Sequence, residues 1–233
     1  MKKQHLKRTT VLNSQMDPDM KFKVTESYKV ARTNLSFSVV KKGCKKIVFT
    51  SSLTGEGKST TSVNVAISLS QQVNVKVLLI DADLRKPKVN RFFNLKSTPG
   101  LTNYLGGMNT LEDVVQPTES PNLSVICSGT IVPNPSELLS SEQMAALLAR
   151  AEKDYDYIII DTPPINIVID ALPLIKLCDG VVIVVKENSS THPELRKTVE
   201  TLERAGAKIL GIILNGARME AKDNYKYRYE RYE

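Results

Sequence analysis

Between the first apolar run and a helical stretch the chain reads Ser51-Ser52-Leu53-Thr54-Gly55-Glu56-Gly57-Lys58-Ser59-Thr60. Ile47-Val48-Phe49 precedes this turn, and Val63, Ala66, Ile67 and Ser70 follow it at helical spacing. Strand, glycine turn and helix in that order is the setting in which a Gly-Lys-Ser triplet cradles phosphate. Backbone N–H groups of such a turn point inward, and the helix N-terminus adds partial positive charge. Thr54, Gly55, Glu56, Gly57, Lys58, Ser59 and Thr60 are therefore the candidate nucleotide-binding residues. Lys58 is placed to reach the β- and γ-phosphates, and the Ser59 hydroxyl to ligate Mg²⁺. The usual pattern opens with Gly six residues before the Lys; Ser52 stands there instead.

Phosphate chemistry also needs carboxylates, and two further runs supply them. Val77-Leu78-Leu79-Ile80 ends in Asp81-Ala82-Asp83-Leu84-Arg85, and Tyr157-Ile158-Ile159-Ile160 ends in Asp161-Thr162-Pro163-Pro164. In doubly wound sheets ligands sit beyond the carboxyl ends of the strands, so Asp81, Asp83 and Asp161 are expected to converge on the triphosphate. One or two carboxylates suffice for Mg²⁺, which keeps several waters, and another can take a proton from an attacking hydroxyl. Asp81 and Asp83, two residues apart in extended chain, are expected to face the same side and share these duties.

Six strands are expected, at about 46–50, 75–81, 122–127, 156–161, 180–186 and 208–214. Most are continuous Val/Ile/Leu runs, the mark of strands buried on both faces of a parallel sheet. Helical patterns separate them. Tyr28, Ala31, Leu35 and Val39 form one face of a helix starting near Thr25, capped there and ended by Gly43. Ser140 to Gln143 reads as a capping box, and Thr191 to Glu194 as another. This alternation predicts one α/β domain with a doubly wound, mostly parallel sheet of P-loop NTPase architecture. The expected organisation is a flexible basic arm at 1–20, the nucleotide domain at 21–216 and a tyrosine-rich tail at 217–233.

Charge is uneven. Residues 1–46 hold twelve Lys or Arg against Asp17, Asp19 and Glu26, a net of +9, which leaves −2 for the rest of a chain whose overall charge is +7. Such an arm suits anionic lipid or an acidic protein surface. Its lack of interleaved aromatics disfavours nucleic acid. No secretory pattern or membrane span is read from the sequence, so a cytoplasmic location is expected. Cys44, Cys127 and Cys178 have no paired spacing, and with only two His a zinc site has little support. Cys127 and Cys178 read as buried small hydrophobes. Four of the eight tyrosines, Tyr225, Tyr227, Tyr229 and Tyr232, alternate with charges at the end of the chain.

With these motifs together, the chain resembles the bacterial P-loop tyrosine kinases of capsule and exopolysaccharide synthesis. The resemblance rests on Ser52 to Ser59, Leu78 to Arg85, Ile159 to Pro164, the stretches Glu26 to Asn34 and Pro133 to Leu139, and the terminal tyrosines. It implies an ATP- and Mg²⁺-dependent protein-tyrosine kinase that autophosphorylates its tail in trans, within a ring-shaped homo-oligomer, as an octamer. It also implies recruitment to the inner face of the membrane by a membrane-embedded activator of the polysaccharide chain-length type, other protein tyrosine substrates, and a cognate phosphotyrosine phosphatase. By position, Lys58 binds phosphates, Ser59 and Asp83 bind Mg²⁺, Asp161 holds it through water, and Asp81 activates the tyrosine hydroxyl. Asn215 stands where related ATPases meet adenine. Glu26, Lys29 and Arg32 stand at the subunit contact, where the family carries Arg in place of Lys29.

The alternative is a P-loop ATPase switch of the partitioning or division-site type. Those proteins carry a Lys early in the phosphate loop, where this chain has Leu53. A eukaryotic-type kinase lacks support because His-Arg-Asp and Asp-Phe-Gly are absent.

Overall fold

The computed structural model describes residues 16–217. Its elements run α1 (Pro18–Ser38), β1 (Lys45–Ser51), α2 (Lys58–Ser70), β2 (Val77–Asp81), α3 (Val89–Phe93), α4 (Leu101–Leu105), α5 (Leu111–Val114) and β3 (Val115–Pro117). They continue with β4 (Leu123–Ile126), α6 (Pro135–Leu139), α7 (Glu142–Ala151), β5 (Tyr157–Asp161), α8 (Leu172–Ile175), β6 (Gly180–Lys186), α9 (His192–Arg204) and β7 (Ile209–Asn215).

The sheet order is β3-β4-β2-β5-β1-β6-β7. All neighbours are parallel except β3, which pairs antiparallel with β4 at the edge. The six expected strands are present to within two residues at either end. β3 is the addition: at three residues, with Pro117, it carries no periodicity to read, and an edge position tolerates its proline.

Two apolar layers sandwich the sheet. Ile47, Phe49, Leu79 and Ile159 face α1 and α2, whereas Val48, Leu78, Ile80, Ile158 and Ile160 face α7 and α8. This two-sided burial is why β1, β2 and β5 read as unbroken aliphatic runs. β7 departs from the pattern: Ile212 and Leu214 on this edge strand are more than half exposed.

α2 is buried all round, since α1 lies across it as a further layer. Tyr28, Ala31, Leu35 and Val39 make that contact, as their spacing predicts. The helix begins at Pro18 rather than Thr25, inside the stretch assigned to the arm. Asp17-Pro18 explains the start: the fixed φ of proline suits the first helical position, where its missing N–H costs nothing. Thr25 caps nothing; its hydroxyl donates to the Lys21 carbonyl at 2.8 Å within the helix. The helix closes at Ser38, and Gly43, with φ +77°, shapes the turn into β1.

Ser141, not Ser140, caps α7, accepting the Met144 N–H, and its third residue is apolar, so no reciprocal box forms. Thr191 and Glu194 do form one on α9. Cys127 is fully buried as expected, whereas Cys178 is half-buried. Among the described residues no helix is long and apolar enough to cross a membrane. Tyr225, Tyr227, Tyr229 and Tyr232, and residues 1–15, lie outside the described residues.

Candidate active site

The adjacency of β2, β5 and β1 builds the site. Register places Asp81 opposite Asp161, and Asp161 opposite Phe49, the latter two residues short of the end of β1. Past Asp161 the chain stays stitched to β1: Thr162 donates to the Phe49 carbonyl, the Thr50 hydroxyl to the Pro163 carbonyl, and the Ile165 N–H to the Ser51 carbonyl. The turn after β1 and the carboxylate ending β5 are thereby held face to face.

The turn has the shape the glycines allow. Gly55 and Gly57 adopt φ of +84° and +86°. At Gly57 the requirement is double, because a Cβ there would lie 1.9 Å from the Asn215 side-chain nitrogen. α2 then starts at Lys58, with the Thr61 N–H bonded to the Gly57 carbonyl.

Within this cradle Lys58 Nζ lies 2.7 Å from Asp161 Oδ1 and 3.5 Å from Asp83 Oδ2. The Ser59 hydroxyl donates to Asp161 Oδ2 at 2.6 Å. Lys58, Ser59, Asp83 and Asp161 are all buried. Burial pushes the Asp83 carboxyl above the usual carboxylate range, with Lys58 opposing. Asp81 is pushed up to about 7, first by complete burial and then by the charge of Asp161.

Alternation continues past β2: Leu78, Ile80, Ala82 and Leu84 share one core layer, which leaves Asp81 and Asp83 together on the other side, as their spacing predicts. β2 ends at Asp81, and the two carboxylates differ in their partners. Asp81 accepts the backbone N–H groups of Asp83, Lys88 and Val89, holding the turn that leads into α3. Neither it nor Asp161 lines the cavity directly. Asp83 does, with the loop residues Leu53 to Thr60 and with Arg85, Lys86, Lys88 and Phe92. Pro163, Pro164, Ile167 and Val168 complete its apolar wall.

Several contacts were not legible in advance. Arg85 binds Asp170 through two bonds, at 2.5 and 3.2 Å, fixing the loop that carries Ile167 and Val168. Asp170 follows no strand and belongs to no motif, so only the fold reveals it. Asn215 does not line the cavity; its side-chain amide donates to the Glu56 carbonyl at 3.0 Å, behind the phosphate loop. The Glu56 carboxylate likewise turns away from the cavity, toward Leu53 N–H and the Ser190 hydroxyl.

At the expected subunit contact, Lys29 pairs with Glu26 at 2.6 Å within α1. Arg32 donates to the Ser68 carbonyl at 2.9 Å, tying α1 to the end of α2. Both contacts lie within one chain.

The cradle fits a magnesium nucleotide on its own chemistry: inward backbone N–H groups, one buried lysine, a serine hydroxyl and carboxylates. Among the described residues no group of three or more His, Cys, Asp or Glu is arranged to hold a metal alone. Mg²⁺ in this cradle would therefore draw most of its ligands from phosphate oxygens and water.

Comparison with known proteins agrees with this geometry. Residues 44–212 match the family described as AAA domain. Tyrosine-protein kinase YwqD of Bacillus subtilis (strain 168) is 43% identical over 203 residues, 87% of this chain and 85% of that protein. This chain belongs to the bacterial tyrosine-protein kinases. The putative tyrosine-protein kinase CapB of Staphylococcus aureus is 33% identical over 96% of this chain and 97% of its own length. The crystal structure of the chimerical protein CapA2B2 superposes with a TM-score of 0.81 at 36% identity, covering 91% of each chain. A ParA family ATPase from Chlorobium tepidum TLS gives 0.62 at 23% identity over 76% of each chain, which shows the shared fold alone. The partitioning-type alternative is accordingly the less supported reading.

Proposed function

We propose that this chain transfers the γ-phosphoryl group of Mg²⁺-bound ATP to tyrosine hydroxyls, its own Tyr225, Tyr227, Tyr229 and Tyr232 among them, as a regulator of capsular or exopolysaccharide synthesis. The observation that carries this is the meeting of Lys58, Ser59, Asp83 and Asp161 at the mouth of a glycine turn. The bound magnesium nucleotide supplies the transferable phosphoryl group and divalent positive charge. The loop N–H groups and the start of α2 receive the phosphates, and Lys58 exchanges its carboxylate partners for phosphate oxygens. Ser59 would hold the metal and Asp161 would help to hold it, the ion supplying positive charge against the phosphates.

Asp83 takes the phenolic proton as the new O–P bond forms and the bond to the nucleotide breaks. The cavity-facing position of Asp83 supports this, and it replaces the role that resemblance gives to Asp81. Asp81 instead keeps the turn in place, and Asn215 serves the loop rather than the base.

The reading extends to partners. Acceptor tyrosines enter from a neighbouring subunit of a ring-shaped oligomer, with α1 at the contact. A membrane-embedded activator recruits the kinase to the inner face of the membrane, and a phosphatase resets it. Each phosphate adds about −1.5 to −2 charge. Several on one tail loosen it from a neighbour's acidic site and dissolve the ring.

A mixing experiment tests the proposal. Lys58→Met protein with an intact tail is incubated with Mg-ATP and active protein truncated after residue 217. Phosphotyrosine on the Lys58→Met chain is the expected result. Phosphate confined to serine or threonine, or ATP hydrolysis with no phosphoprotein, contradicts it.

A further inference from the structure

Glu56 is almost fully buried, 1% exposed, in a loop read as a polyanion cradle. A carboxylate there works against phosphate binding unless it is turned away and its oxygens are hydrogen-bonded. Both conditions hold. Oε2 accepts the Leu53 N–H at 2.7 Å, closing the loop on itself. Oε1 accepts the Ser190 hydroxyl at 2.5 Å and the Lys186 N–H at 3.4 Å, the latter the last residue of β6 and the former in the turn after it.

Two other contacts run the same way. Asn215, the last residue of β7, donates to the Glu56 carbonyl at 3.0 Å. Thr198 on α9 donates to the Ser52 hydroxyl at 2.8 Å. These bonds from Ser52 and Glu56 all end on the β6–α9–β7 unit, whereas Lys58 and Ser59 at the other end of the loop bond to Asp161 of β5.

We propose that Glu56 is a positioning residue, whose carboxylate latches the phosphate loop onto the β6–α9–β7 unit and holds its N–H groups in the polyphosphate-binding shape. The latch orders the loop before nucleotide arrives, so binding does not bear that conformational entropy. Ser190 is the matching half of the latch. This rests on the phosphate-cradle reading above, and the experiment separates the two.

Hydrogen exchange of the loop in unliganded protein, and ADP affinity by calorimetry, are measured for wild type, Glu56→Ala, Glu56→Gln, Ser190→Ala and the Glu56→Ala/Ser190→Ala double variant. Glu56→Ala is expected to lose protection at residues 51–58 and to raise the ADP Kd about tenfold. Ser190→Ala is expected to raise it about threefold, and the double variant no more than Glu56→Ala alone, because both changes cut one connection. Glu56→Gln is expected to fall between wild type and Glu56→Ala, since an amide offers one acceptor where the site presents donors on both sides.

Unchanged loop protection and ADP affinity in Glu56→Ala overturn the inference. Loosening spread over the whole sheet also overturns it, because that marks a merely structural carboxylate. If Glu56→Ala fails to fold, Ser190→Ala decides: unchanged loop protection there overturns the latch. Lys58→Ala is the control for the underlying reading. If it leaves ADP binding intact, the cradle itself is wrong; if it abolishes binding while Glu56→Ala does not, only the latch is wrong.

Discussion

Lys58 and Asp161 are 103 positions apart in the chain, yet the ammonium and one carboxylate oxygen lie 2.7 Å apart, with the lysine 6% and the aspartate 0% exposed. Ser59 holds the second oxygen of the same carboxylate. The lysine and serine expected to hold phosphate and metal are thus kept in position by the carboxylate expected to complete the metal site. One buried ion pair thus joins the start of α2 to the end of β5.

Removing the lysine leaves that carboxylate uncompensated. Lys58→Met is expected to lower the stability of the nucleotide-free protein by about 3 kcal/mol, the usual cost of breaking a buried pair from one side. Urea unfolding followed by circular dichroism measures this. A shift within experimental scatter contradicts a stabilising role for the pair.

Arg85 and Asp170 join the turn after β2 to the loop after β5 through a two-pronged bond. Arg85→Lys keeps the charge but not the planar fork. Arg85→Ala is expected to cost about 2 kcal/mol, as for a hydrogen bond to a charged group, and Arg85→Lys less. Because Ile167 and Val168 on that loop line the cavity, the KM for ATP is expected to rise in both. Stability loss without any change in KM contradicts the assigned link.

Arg32 and Lys29 are expected to part company. Arg32 ties α1 to the Ser68 carbonyl, whereas Lys29 pairs within its own helix, 45% exposed. Arg32→Ala is expected to lower stability by about 1 kcal/mol as well as weakening assembly. Lys29→Ala is expected to change stability by no more than about 0.5 kcal/mol, the worth of an exposed helical pair, while weakening assembly. Sedimentation velocity paired with urea unfolding separates the two effects. Full-size oligomers from both variants contradict a role for this face in the ring.

The thiols supply a pH test. Burial pushes Cys44 up to about 11, and Cys127 and Cys178 up to about 12. A raised thiol pKa means less thiolate at a given pH, so at pH 8 about one part in a thousand or less is reactive. Native protein is expected to show negligible alkylation there, and all three cysteines are expected to react once guanidinium unfolds it. Rapid native labelling of any of them contradicts the packing described around it.

Much of the fold was readable because β1, β2, β5 and β6 are aliphatic without interruption and each α/β step ends in a distinctive residue. Strand order was not readable. That β5 lies between β1 and β2 is what brings Asp161 to Lys58, and no local pattern records it. The shared side of Asp81 and Asp83 was legible from alternation, but their different hydrogen-bond partners were not, because those lie in the turn toward α3. Asp170, Ser190 and Thr198 escaped notice for a similar reason: each is an ordinary polar residue until a partner many positions away is brought beside it. The start of α1 at Pro18 was missed because Met20, Phe22 and Val24 alternate with charges instead of repeating at helical spacing, leaving only the proline as a signal.

The central claim is that this site phosphorylates tyrosine. Purified full-length protein is incubated with Mg-ATP, with and without a peptide from the cytoplasmic end of a candidate activator, and its phosphopeptides are mapped by mass spectrometry. The account predicts phosphate on Tyr225, Tyr227, Tyr229 or Tyr232 in wild type and none in Lys58→Met. Turnover of ATP that leaves every tyrosine unmodified, under both conditions, would contradict it.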